Sequence, residues 1–119
     1  MNILQKISLV LFLWLTILFP YTHLASAQTG MVIITDIGLI PNNMTLKKGE
    51  KVELIIQNQD DMVRSFVIPK LNVSSPLLME GEMASVQFTP EQTGSFHFHA
   101  NSTQLGNNRF TGVLTIIEK

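Results

Sequence analysis

Gly94-Ser-Phe-His-Phe-His-Ala100, followed across a polar loop by Thr111-Gly-Val-Leu-Thr-Ile-Ile117, is the stretch on which the fold turns. Both halves alternate in the period of two that marks a strand with one face on a core and the other toward water. The turn Pro90-Glu-Gln-Thr-Gly94 precedes the first half and the loop 101–110 joins it to the second, so the two read as paired C-terminal strands. On this pattern Phe96 and Phe98 face the core. His97 and His99 then share the opposite face, about 6–7 Å apart along the strand. On the return strand, Val113 and Thr115 or their immediate alternates are the expected inward residues.

Upstream, strand signals recur at short intervals with turn residues between them. Met31-Val-Ile-Ile-Thr-Asp-Ile37 is β-branched and extended; Pro41-Asn-Asn turns into Met44-Thr-Leu-Lys47; Lys48-Gly-Glu50 is a turn in which Gly49 takes positive φ. Lys51–Asn58 puts Val52, Leu54 and Ile56 on one face, Arg64–Ile68 is stopped by Pro69, and Met83–Phe88 sets Ala84, Val86 and Phe88 on one face. Only Leu71–Glu82 is irregular, fitting a short helical turn or a crossing between sheets. No segment after residue 30 keeps a 3.6-residue apolar period long enough for a helix. The expected fold is all-β, a Greek-key β-sandwich of about seven to eight short strands with Phe66, Ile68 and the alternating apolar sets as its core.

The N-terminus indicates the compartment. Lys6 precedes the apolar run Ile7–Phe19, then come Pro20 and Ala25-Ser-Ala27, the layout of a secretory signal peptide. The expected organisation is residues 1–27 as signal peptide and 28–119 as one domain, periplasmic or secreted, with membrane attachment only if the apolar run is retained as an anchor. The chain has 119 residues and no Cys. Thiolate nucleophiles, iron–sulfur clusters and thiolate copper are thereby excluded. Seven Lys/Arg stand against nine Asp/Glu after residue 27, a balance with no electrostatic footprint for nucleic acid.

Taken in order, Pro41…Leu46-Lys-Lys-Gly-Glu-Lys-Val52…Ile56-Gln-Asn58…Ser65-Phe-Val-Ile68…Phe88-Thr-Pro90…Gly94-Ser-Phe-His-Phe98…Gly112-Val-Leu-Thr-Ile116 resembles the cupredoxin family over essentially the whole expected mature chain, 28–119. Thr35-Asp-Ile-Gly…Pro41 is most similar to the EfeO-type cupredoxin-like domains found with bacterial iron-uptake proteins. The resemblance implies a type 1 copper site built from a His before Ser-Phe, a Cys ending G-x-Y/F-x-F-x-C, a second His, and a Met near the last strand. This sequence has Arg64 before Ser65-Phe66, Ala100 in place of the Cys, no His after residue 99, and Phe110 in place of the Met. All four ligand positions depart from the family pattern. The implied reading is a lost copper site, with no cofactor and no catalysis.

Three chemistries compete for the remaining polar features. His97 and His99 offer two imidazoles to Cu(II), Ni(II) or Zn(II), and with Met44, Met62, Met79 or Met83 they compose a non-standard copper site for a copper-binding or electron-transfer protein. Arg64, if inward, presents its forked donors to Asp60, Asp61 or a partner's carboxylate, and Arg109 faces it across the loop as a second anion-binding group. Enzymatic readings find no support, since no G-x-S-x-G elbow or acid-partnered His base is present. The expected function is therefore an exported, non-catalytic binding module for a protein partner in the cell envelope, linked to metal uptake or respiratory systems.

Overall fold

The computed structural model describes residues 27–101 and 108–119. The expected signal peptide therefore lies outside the described residues, apart from Ala27, which opens the first strand. Nine strands are present among the described residues: β1 (Ala27–Thr35), β2 (Gly38–Ile40), β3 (Asn43–Lys47), β4 (Lys51–Asn58), β5 (Ser65–Ile68), β6 (Val73–Ser74), β7 (Met83–Phe88), β8 (Gly94–Asn101) and β9 (Thr111–Ile117). Two single turns of 3₁₀ helix, Pro69–Leu71 and Asn108–Phe110, are the only helical structure among them. The count exceeds the expected seven to eight because the irregular stretch after Pro69 yields the two-residue β6, and the segment before Pro41 yields the three-residue β2.

The strands form two mixed sheets, β2-β1-β4-β7 and β3-β9-β8-β5-β6. Most neighbours are antiparallel, but β1 runs parallel to β4 and β3 parallel to β9. The two inner faces close over one core in which Val32, Ile34, Val52, Leu54, Ile56, Phe66, Ile68, Phe98 and Leu114 are fully excluded from solvent. Burial of this kind, at about 25 cal/mol per Å² of apolar surface, is the dominant stabilising term for a domain without disulfides. The rings of Phe66 and Phe98 pack at 5.4 Å between centroids, tilted by 42°.

The hairpin resolves one expectation against its first choice. Inward on β9 are Gly112, Leu114 and Ile116, while Val113 and Thr115 are half-buried on the outer face. The cause is Gly112, which lies directly opposite Phe98. A Cβ built there would come within 2.3 Å of the Phe98 ring and 2.7 Å of the Asn42 carbonyl oxygen, so the large ring requires the glycine at that point and the parity of the strand follows. Ala84, Phe88 and Phe96 are also less buried than expected. Phe88 and Phe96 line a recess of about 310 Å³ with Lys70, Leu71 and Glu91 at the end of the sandwich where β4 begins.

Candidate functional site

β4 ends and β5 begins at the opposite end of the sandwich, where the connections 59–64, 75–82 and 108–110 meet the β1–β2 turn. Asn58, the last residue of β4, is fully buried and ties two of them together, 59–64 and 75–82. Its Nδ2 donates to the carbonyls of Met62 and Leu78, both at 2.8 Å, and its Oδ1 accepts the Asp60 N–H at 3.0 Å. Its own backbone N–H donates to Glu82 at 3.0 Å, and its carbonyl accepts from Gly81 at 2.6 Å. A polar residue buried this deeply is tolerated only when its groups are satisfied, and here they are.

Arg64 sits within this frame. Its backbone pairs with Leu78 in both directions, at 3.0 and 2.7 Å, which fixes the direction of its side chain. The residue is 6 % exposed and its Nε donates to Asp60 Oδ2 at 2.7 Å. The guanidinium carbon stands 3.7 Å from the centroid of the Phe110 ring, a stacked cation–π contact, and Nη2 approaches the Met62 sulfur at 3.9 Å. Asp60 is buried with it. Burial alone would raise the Asp60 carboxyl, but the Arg64 hydrogen bond, an interaction with the Asp61 side chain, the Arg64 charge and the Met62 backbone together hold it below the usual carboxylate value. Asp60 is thus ionised and paired.

Ala100 is buried on β8 opposite Phe66, two residues along β5 from Arg64. Arg64, Ala100 and Phe110, the positions to which the family resemblance assigns copper ligands, thus lie at one end of the core. A type 1 site requires two imidazoles and a thiolate around the metal. These positions present a guanidinium already paired with a carboxylate, a methyl group and a phenyl ring. They do not fit copper, and the guanidinium adds a positive charge to the place where a cation would have to sit.

The other candidates are scattered. Arg109 is exposed and lines a separate recess of about 400 Å³ with Thr35, Ile37, Leu39, Ile40 and Thr111; Arg64 is not part of its wall. His97 is exposed and His99 half-buried on the outer face of β8. None of the four methionines joins them there. Met44 packs against the core from β3, Met62 lies beside Arg64, and Met79 and Met83 are exposed on the crossing into β7 of the other sheet. The sequence reading had named Asp60 as a possible acceptor but missed Asn58, whose only signal was an Asn at the end of an apolar strand. It missed Ser75 as well, a buried hydroxyl that accepts the Phe66 N–H at 2.8 Å.

The cupredoxin-like domain family matches residues 8–116. No curated protein matches the sequence. Among solved structures, reduced auracyanin from Roseiflexus castenholzii superposes with a TM-score of 0.63 at 13% identity, covering 78% of this chain and 98% of that one. Auracyanin A, a "blue" copper protein from Chloroflexus aurantiacus, gives 0.64 at 15% identity over 77% of this chain and 100% of its own. The periplasmic domain of cytochrome oxidase subunit II from Bradyrhizobium japonicum gives 0.62 at 13%, over 76% and 84%. At such identities the likeness is one of fold, and the copper named for auracyanin A says nothing of copper here. By its family match and its architecture, the chain belongs to the cupredoxin-like domain family.

Proposed function

We propose that this protein is an exported cupredoxin-like domain whose type 1 copper site has been replaced by the Arg64–Asp60–Phe110 plug, and that it serves as a non-catalytic binding module in the cell envelope. One observation carries the binding role. Around the plugged end, large apolar side chains stand in solvent: Leu77 at 72 %, Ile37 at 68 %, Met79 at 63 % and Met83 at 54 % exposure. Scattered apolar exposure is ordinary, but a group gathered at one end of a small sandwich marks a surface with something to cover it. Methionine suits such a surface because its flexible thioether adapts to a partner's shape. The similarity of Thr35-Asp-Ile-Gly…Pro41 to EfeO-type domains supports a role beside a metal-uptake or respiratory system.

The test is positional. A photo-crosslinking residue at Leu77 in the native envelope should yield a discrete adduct that disappears with Met79→Asp, whereas the same residue at Lys51, at the opposite end, should yield none. Equal capture from both positions would refute the assignment of this end as the docking face.

A further inference from the structure

The outer face of β8 offers a site independent of the plugged end. His97 and His99 project from the same side of β8, whose backbone is paired to β9 at both residues and to β5 as well at His99. His97 lies opposite Val113, and His99 lies between Thr111 and Val67. None of these neighbours is charged. Neither imidazole has a hydrogen-bond or ion-pair partner among the described residues, although every buried polar side chain among them is satisfied. A spacing of about 6–7 Å between alternate residues of a strand lets two imidazoles converge on one ion at the usual metal–nitrogen distance of about 2.0–2.1 Å.

We propose that His97 and His99 form a two-imidazole anchor for a divalent transition-metal cation of borderline softness, such as Zn(II), Ni(II) or Cu(II). Imidazole suits these ions, whereas Mg(II) and Ca(II) require oxygen donors. No group of three or more His, Asp or Glu completes a closed cage among the described residues, so the remaining coordination positions are open to water or to a donor brought by another molecule. The anchor owes nothing to Arg64, Ala100 or Phe110, and it stands whether or not the apolar end docks a partner.

The experiment uses the full chain without a histidine tag, in a His23→Gln background that removes the third histidine of the sequence. Calorimetric titration with ZnCl₂ should show one cation per chain, with affinity reduced by about tenfold or more in His97→Gln and in His99→Gln, and no saturable binding up to about 1 mM in the double variant. Trace Cu(II) added to the unsubstituted pair should broaden the amide signals of Val67, His97, His99, Thr111 and Val113 before all others, a readout that does not depend on how the variants fold. Absence of binding to the intact pair, binding that survives the double substitution, or broadening centred on Asp61, Glu80 and Glu82 would each overturn the proposal.

Discussion

The end of the sandwich around Arg64 and the outer face of β8 both carry side chains that can bear positive charge, and they treat them in opposite ways. At the first, the guanidinium is buried and every neighbour is committed to it: Asp60 accepts its hydrogen bond, Phe110 stacks beneath it, and Asn58 holds the connection that carries Asp60. At the second, the imidazoles of His97 and His99 stand at or near the surface with no engaged partner among the described residues. A charge taken out of water must be paired, so the first arrangement is structural. Donors left accessible on a rigid strand remain available to a ligand.

The strongest way to break this contrast is Arg64→Ala. Removing one partner of a buried pair leaves the other charge unpaired at a cost of about 3–5 kcal/mol. Chemical denaturation should report a loss of that order at neutral pH. A loss within about 0.5 kcal/mol, the usual range for surface substitutions, would place Arg64 with the histidines rather than against them.

Acid titration sharpens the same point with a smaller effect. The Asp60 carboxyl is lowered in the folded protein, so the unfolded chain binds its proton first as pH falls. The stability it contributes is therefore fully present above the ordinary Asp value of about 3.9 and is lost as pH falls through the lower folded value. Asp60→Asn lacks this titration. The stability difference between wild type and Asp60→Asn should be constant near neutrality and shrink below about pH 4; a difference that stays flat into acid would show that Asp60 carries no ionised pair.

The hairpin shows how much of this was readable in advance. Alternation in Gly94–Ala100 placed Phe98 inside and both histidines outside, because a strand's period of two leaves few choices once one face is apolar. The same rule left β9 open between Val113 and Thr115 and their alternates Leu114 and Ile116, and the alternates are the ones buried. A cross-strand fact decided it, the fit of the Phe98 ring over Gly112, and no single strand's pattern contains such a fact. At the site, the substitutions at Arg64, Ala100 and Phe110 were visible as departures from a family pattern. The buried Asn58 that ties two connections together was not, since its partners Leu78 and Glu82 lie 20 or more residues away in the chain.

Arg64→His asks whether the plugged end retains any of the chemistry of its fold. The variant restores one imidazole but leaves Ala100 and Phe110 without donor atoms, and the chain has no Cys. Intense blue absorption arises from a thiolate bound to Cu(II), so stoichiometric copper should leave the variant as colourless in that band as the wild type. A strong blue band in either protein would require a thiolate that the chain does not contain and would overturn this reading.

The smallest expected effect lies on the histidine side of the contrast. In the absence of metal, His97→Gln and His99→Gln should each change unfolding stability by no more than about 0.5 kcal/mol, because a polar side chain replaces another on the outer face of a strand and no ion pair is broken. His99 is the more sensitive of the two, since it is half-buried between Val67 and Thr111 and its ring contributes cross-strand packing. If the imidazoles are present for a ligand, adding ZnCl₂ should raise the stability of the wild type and not of the double variant, by an amount that grows with the logarithm of the metal concentration. A large metal-free loss at either position would instead make the histidines part of the sheet's own framework, and the two regions would then differ only in depth.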